Sequence, residues 1–309
     1  MIIVGGGPAG LAAGLYAARM RLRSVLLDRG PMGGQLLNTE LIEDYPGFES
    51  VLGVDLAVKM AEHAEKFGLD IRPYQPVKEI DVLADGRKVV RMEDGSELEA
   101  PAVIMAAGGL PRRLGVPGEQ ELAGRGVSYC AVCDGAFFKD QVLAVIGGGD
   151  AAIEEGDFLT RYASKVYIIH RRDQLRAQPV LQDRARANPK IEFILNARVK
   201  AILGDDQVQR VTYVQDGEEK ELEVGGVFIF VGFIPNSSIL RPHAKHEPEG
   251  YLITDRDMET SIPGVWAVGD VRAQLTKQIA TAVGDGTTAA VAALQYVDQI
   301  RDKERAAAV

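Results

Sequence analysis

The stretch Ile2-Ile3-Val4-Gly5-Gly6-Gly7-Pro8-Ala9-Gly10, answered further along by Val25-Leu26-Leu27-Asp28, decides the fold class. A short apolar strand runs straight into a glycine turn. A helical pattern follows from about Ala9 to Met20, and a second apolar strand ends at an acid 23 positions after Gly5. This is the dinucleotide-binding fingerprint in its required strand, turn, helix and strand context. Gly5 and Gly7 permit the tight turn and let the backbone approach a pyrophosphate, and Gly10 brings helix and strand together. The helix amino terminus then faces the phosphates. Asp28 can accept hydrogen bonds from an adenosine ribose, so this turn favours a nucleotide with free ribose hydroxyls, such as FAD or NAD.

The unit returns 142 residues later. Val142–Ile146 reads as the strand, and Gly147-Gly148-Gly149-Asp150-Ala151-Ala152 as the turn, with alanine in the place of the third glycine. Helix follows, then Val166–Ile169, and the position matching Asp28 is His170. Here the acid is absent and His170-Arg171-Arg172 stands instead, with Arg176 just beyond. A carboxylate repels a 2′-phosphate, whereas guanidinium groups bind phosphate through paired hydrogen bonds, so the second turn favours NADP. The plainer reading of these arginines is a solvated strand end. Later features keep the parallel. Lys88–Met92 and Glu97–Glu99 flank Asp94-Gly95, and Arg210–Val214 and Glu221–Val224 flank Asp216-Gly217; both read as hairpins. Each hairpin feeds an apolar strand with glycine behind it, Val103–Ala106 before Gly108 and Val227–Val231 before Gly232.

The expected fold class is therefore α/β, with two Rossmann-like dinucleotide-binding domains that arose by duplication. Past Phe233 comes a polar stretch containing Pro242, His243, Lys245, His246, Pro248 and Gly250, then the strand Val265–Val268 ending at Gly269-Asp270, then a helix from about Gln278 to Ile300. That tail is too short for a third domain. It suits the last parallel strand of the first sheet, with Asp270 at the carboxyl edge where ligands bind, although Asp270 could also cap a helix. The second domain is thus expected to be inserted in the first. Residues 1–111 and 240–309 form the FAD-binding domain and 112–239 the NADPH-binding domain, with links near Pro111-Arg112 and Ile239-Leu240. The first strand looks clipped.

The 309 residues carry 35 Lys and Arg against 44 Asp and Glu, a net charge of −9, and 46% are hydrophobic. That usage excludes disordered and fibrous classes. A pI near 5.1 argues against indiscriminate binding to nucleic acid or to an anionic membrane. With no long apolar run and no basic, apolar leader, the expected setting is the cytoplasm. The only cysteines, Cys130 and Cys133, are spaced C-x-x-C. In an intracellular chain they read first as a redox pair, and otherwise as half a metal site or two small core residues; no metal is expected.

Taken together, these residues resemble the bacterial-type, low-molecular-weight thioredoxin reductases, from residue 2 to about residue 290. Besides the glycine turns, the likeness is carried by Gly33-Gly34-Gln35-Leu36, Glu43-Asp44-Tyr45-Pro46-Gly47-Phe48, and Ser128-Tyr129-Cys130-Ala131-Val132-Cys133-Asp134-Gly135. Gly147–Glu155, the arginine segment, Gly269-Asp270-Val271 and Lys277-Gln278 complete it. The resemblance implies FAD in the first domain and NADPH in the second, with hydride passing to the flavin and electrons then to the cysteine disulfide. The dithiol would reduce a thioredoxin. Cys130 would attack the partner, Cys133 would face the flavin, and Asp134, otherwise a turn or cap residue, would manage the thiol protons. Gly34, Gln35, Leu36 and Asp44 would lie along FAD. Gln278 and the backbone around it, Lys277 and Ile279 included, would contact the pyrimidine side of its ring, and Asp270 its ribityl chain. Glu155 would belong to the NADPH site. A homodimer and a rotation of the inserted domain are also implied.

Asp44 stands where the family commonly has asparagine, Ala106-Ala107-Gly108-Gly109 replaces Ala-Thr-Gly-Ala, and Leu275-Thr276-Lys277-Gln278 replaces a Tyr-Arg-Gln segment. Single features separate this family from its neighbours. A ferredoxin–NADP reductase would lack the cysteine pair, and a ferredoxin-dependent thioredoxin reductase tends to lose the arginines. A dithiol oxidase would pass electrons to oxygen, and a redox-sensing binding protein would not turn over. His63, His243 and His246 read as surface residues.

Overall fold

The computed structural model describes residues 1–39, 41–240 and 243–307, so Pro242 of the polar stretch lies outside the described residues. The chain divides into two compact units, one formed by Met1–Leu110 with Ile234–Val309 and the other by Pro111–Phe233. The return crossing is at Phe233/Ile234, not at Ile239-Leu240. Residues 234–239 go with the first unit because their neighbours anchor them there. Leu240 is fully buried, Ser237 Oγ donates to Gly250 O at 2.5 Å, and Ile80 N–H donates to Ile239 O at 3.0 Å.

The first unit is built on a parallel sheet in the order Val265–Ala267, Val103–Met105, Ile2–Val4, Val25–Leu27, Asp70–Arg72. Its inner strands are short apolar runs, as strands covered on both faces must be. Ile2–Val4 is paired along its whole length, Ile3 opposite Leu26 on one side and Ile104 on the other. One face packs Leu11, Leu26, Ile104 and Trp266; the other packs Val4, Leu27, Met105 and Val265. The helix Pro8–Arg19 starts on proline, whose fixed φ and missing N–H suit a first turn. Helix Ile279–Ala307 buries Ala289, Ala290, Ala293 and Val297, a helical stripe of mostly small residues that lets it lie close to Pro8–Arg19. An antiparallel sheet of Val77–Val82, Lys88–Met92 and Glu97–Ala100 completes the unit. Within it Lys88 is wholly buried, and its Nζ donates to Pro101 O at 2.9 Å.

The second unit repeats the plan. Its parallel sheet runs Val127–Ser128, Gly226–Phe230, Val142–Gly147, Lys165–Ile169, Ile191–Ile194, again with an apolar cluster on each face. Its antiparallel sheet is Ala197–Leu203, Arg210–Gln215, Glu218–Glu223. At Asp216-Gly217 both residues have positive φ, 54° and 85°, the signature of a two-residue hairpin turn. The returning strand therefore begins at Glu218, directly after the turn, rather than at Glu221. The two-domain Rossmann-type α/β fold, one domain inserted in the other, is the one expected from the sequence. No described helix is long and apolar enough to cross a membrane.

Candidate active site

In the second unit, the strand Val127–Ser128 delivers the chain into a four-residue helix, Ala131–Asp134, with Cys130 as its N-cap. Cys130 and Cys133 form a disulfide, Cα to Cα 5.3 Å. Cys133 is exposed and Cys130 half-buried. The Cys133 N–H donates to Cys130 Sγ at 3.2 Å. In the dithiol the same bond would stabilise a thiolate on Cys130, the form that attacks disulfides. Asp134 does not cap the following turn with its side chain; Ser128 Oγ donates to its carboxylate at 2.6 Å. Ser128 Oγ also accepts the Cys130 N–H at 3.0 Å, so one buried hydroxyl links Cys130 to the carboxylate. Ser128 belongs to the cysteine segment, but nothing in the sequence marks its hydroxyl as this link. Glu119 has no motif around it; it is buried and accepts from Tyr129 Oη at 2.7 Å and from the Leu114 and Gly115 N–H groups. Burial pushes Glu119 up, but these donors hold its carboxyl below the usual range; burial and Glu119 together push the Tyr129 phenol well up. The pair fixes the segment that leads to the cysteines.

In the first unit the glycine turn, the acid and three later segments converge. Gly6 N–H donates to Asp28 Oδ2 at 2.6 Å, and Gly30 N–H to Oδ1 at 2.8 Å. A Cβ on Gly10 would stand 1.8 Å from Gly5 O, which is why strand and helix can meet only through glycine there. No side chain caps Pro8–Arg19, which leaves its first turn of N–H groups for an anion. Gly33 N–H donates to Gly6 O at 2.8 Å, which lays the turn Gly34-Gln35-Leu36 beside Gly7. Leu36, Tyr45 and Ile279 share one apolar cluster, bringing the flanks of the expected ring site together. Asp44 is exposed and makes no hydrogen bond among the described residues. Near Asp28 opens a cavity of about 420 Å³ lined also by Gly5, Gln75, Ala107 and Asn236. Asn236 Nδ2 donates to Ala107 O at 2.8 Å, and Asn236 N–H to Gly108 O at 2.9 Å.

The turn Gly269-Asp270 is held from behind by residues the sequence does not flag. Arg272 donates to both Asp285 oxygens, at 2.7 and 3.1 Å, and Gly269 N–H donates to Asp285 Oδ2 at 3.0 Å. Their side chains are only 16% and 9% exposed. Removing one member of such a pair leaves a buried charge uncompensated. Asp285→Ala should therefore lower the unfolding free energy by about 3–5 kcal/mol, measured by denaturant titration. The Asp270 carboxylate accepts no hydrogen bond among the described residues, and burial holds it above the usual range despite Lys277 nearby. Lys277 Nζ donates to Asp270 O at 2.9 Å and sits 3.7 Å from the Tyr251 ring centre. Gln278 N–H meets Thr281 Oγ1 at 3.2 Å. A helix amino terminus without a side-chain cap, glycines in close approach, and the carboxylates of Asp28 and Asp270 fit FAD laid along this edge.

The second turn is arranged alike, with one substitution. A Cβ on Gly148 would lie 2.3 Å from His170 Nδ1, so the imidazole abuts the second glycine where Asp28 meets Gly6. Burial, then Arg176 and Arg172, hold His170 below the ordinary imidazole value, which keeps it neutral near pH 7. Arg176 N–H donates to Gly148 O at 2.6 Å, folding the arginine loop back over the turn. Asp150 secures that fold by accepting from Gln178 N–H at 2.8 Å and Nε2 at 3.1 Å. Its carboxylate thus positions the loop. A cavity of about 370 Å³ opens here, lined by Gly147, Gly148, His170, Arg171 and Arg176. Arg172, Gly149, Ala151, Ala152, Glu155 and Gly232 are not part of that lining; Gly149, Ala151, Ala152 and Glu155 belong to the turn and helix beside it. The lining does include Arg112, Arg113 and Arg198, which no motif picks out.

The profile of the family described as pyridine nucleotide-disulphide oxidoreductase matches residues 1–286. Thioredoxin reductase of Bacillus subtilis is 49% identical over 306 residues, covering 98% of this chain and 96% of that protein. Thioredoxin reductase of Listeria innocua is 48% identical over 308 residues, covering 98% and 95%. Among solved structures, thioredoxin reductase of Lactococcus lactis superposes with a TM-score of 0.94 at 46% identity, covering 96% of this chain and 98% of that one.

Proposed function

The chain belongs to the pyridine nucleotide-disulphide oxidoreductase family, and from that membership we propose that it is a thioredoxin-disulfide reductase driven by NADPH. It is a flavin disulfide oxidoreductase using FAD and a pyridine nucleotide, and Cys130–Cys133 is its redox-active disulfide. The choice of NADPH over NADH rests on one observation: where Asp28 closes the first turn, the second presents neutral His170 and a cavity with Arg171 and Arg176 in its wall. A ribose carrying a 2′-phosphate suits that wall and would be repelled by an acid.

FAD, when bound, supplies the step between a two-electron hydride donor and the disulfide. The chain's own groups do the rest. Two electrons and a proton open Cys130–Cys133, leaving a thiol and a thiolate. Cys130 Sγ, stabilised by the Cys133 N–H, attacks a sulfur of the thioredoxin disulfide, forms the mixed disulfide and expels a thiolate. Cys133 then attacks Cys130, the Cys130–Cys133 bond closes, and the second thioredoxin sulfur leaves. Each leaving thiolate takes a proton, for which Asp134, joined to the Cys130 N–H through Ser128, is the acid. The balance is NADPH, a proton and one disulfide to NADP⁺ and one dithiol. Asp134→Asn should slow thioredoxin-dependent turnover by about a hundredfold and leave nucleotide-driven flavin reduction unchanged, as read by stopped flow.

Counting thiols tests the proposal. Anaerobic NADPH should free both Cys130 and Cys133 for alkylation in the holoenzyme. Retention of the disulfide in the presence of excess NADPH would refute it. We place the protein in the cytoplasm, consistent with two cysteines kept as a redox pair. A net charge of −9 argues against indiscriminate binding to nucleic acid or to an anionic membrane. A homodimer through the first unit is supported by exposed Leu41, Phe48, Leu52, Val54 and Val58.

A further inference from the structure

The cavity of the second unit holds more positive charge than the segment His170-Arg171-Arg172 accounts for. Five arginines line it, Arg112, Arg113, Arg171, Arg176 and Arg198, and no Asp or Glu does. Among the described residues none of the five side chains has a hydrogen bond or ion pair with the protein. Like charges gathered at one cavity repel, and an arrangement of this kind persists where an anion is to be bound.

Arg198 is the member whose placement is most constrained. It is the second residue of the strand Ala197–Leu203, and that strand is tied to the nucleotide turn at its first residue, where Ala197 N–H donates to His170 O at 2.9 Å. The next exposed residue along the strand, Lys200, is paired with Glu219 at 2.8 Å. Glu219 lies opposite Val214, and Val214 opposite Arg198, so the carboxylate in Arg198's own cross-strand row is engaged by Lys200. The sheet thus leaves Arg198 for a ligand. Ile146, Ile169 and Val199 give the same cavity an apolar side suited to a purine.

We propose that Arg198 is a specificity-determining residue that binds the phosphate on the adenosine ribose, acting from the antiparallel sheet together with Arg171 and Arg176. The inference rests on the NADPH reading above and adds a wall to that site. A phosphate monoester carries close to two negative charges and three acceptor oxygens, and a guanidinium meets two of them at once.

Calorimetric titration of the FAD-loaded protein with adenosine 2′-monophosphate and, separately, adenosine 5′-monophosphate provides the test. Arg198→Gln should weaken the 2′-phosphate by about tenfold and the 5′-phosphate by no more than about twofold. Arg198→Lys should recover part of the loss, since an ammonium keeps the charge but not the fork. An unchanged flavin spectrum in each variant certifies folding. Unaltered discrimination in Arg198→Gln would overturn the inference while leaving the NADPH reading intact. Equal loss for both nucleotides would also overturn it, by moving Arg198 onto the purine. Equal affinity of the unsubstituted protein for the two would overturn the NADPH reading, and this inference with it.

Discussion

Cys130→Ser should abolish thioredoxin reduction, lowering thioredoxin-dependent NADPH oxidation by more than roughly a thousandfold, while anaerobic NADPH still reduces the flavin. A serine hydroxyl cannot form the mixed disulfide, and it is not appreciably ionised near neutral pH, so neither the attack nor the resolution of Cys130 remains. The nucleotide site and the first unit's turn do not involve this side chain, so the earlier half of the electron path should survive. Stopped-flow absorbance follows that half and insulin precipitation or NADPH consumption the other. Loss of both halves would undo the assigned order of electron flow. Cys133→Ser should behave differently: a nucleophile survives at Cys130, and a stable mixed disulfide with thioredoxin should accumulate.

The second large effect concerns the nucleotide. Replacing Arg171 and Arg176 together with alanine should raise the Michaelis constant for NADPH by roughly a hundredfold and that for NADH by no more than about threefold. Both side chains line the cavity beside His170, and each charge-assisted bond to phosphate contributes on the order of 1.5–3 kcal/mol. Arg172, which lies outside that lining, should matter less. Steady-state kinetics with both nucleotides checks this. An equal rise for NADPH and NADH would mean that the arginines hold a part common to the two.

What was legible in the sequence is what chemistry ties to residue type and spacing. The glycine turns, Asp28, the basic segment at His170 and the C-x-x-C all sit at offsets that a nucleotide or a disulfide imposes, and they could be placed from order alone. The edge strands Asp70–Arg72 and Ile191–Ile194 could not. Each is short and carries charge, and each is a strand because an apolar neighbour pairs with it, Val25 with Asp70 and Val166 with Ile191. Tertiary context overrides weak local preference there. The supports of the site were equally silent. Arg272 and Asp285 are separated by a loop and the start of a helix, Ser128 stands in the cysteine segment with nothing to mark its hydroxyl as a link, and Glu119 has no motif around it. Arg198 is one more exposed arginine until the fold sets its strand against His170. The return crossing moved because Ser237 and Leu240 find their partners in the first unit, a fact of packing and not of composition.

The central claim is that electrons travel from NADPH to a thioredoxin disulfide by way of Cys130 and Cys133. The most direct measurement is NADPH oxidation at 340 nm by the FAD-loaded protein under anaerobic conditions, with and without oxidised thioredoxin. The account predicts continued turnover only when thioredoxin is present, with one dithiol formed for each NADPH consumed. Reduction of the flavin that stops after a single equivalent whether or not thioredoxin is present would contradict it.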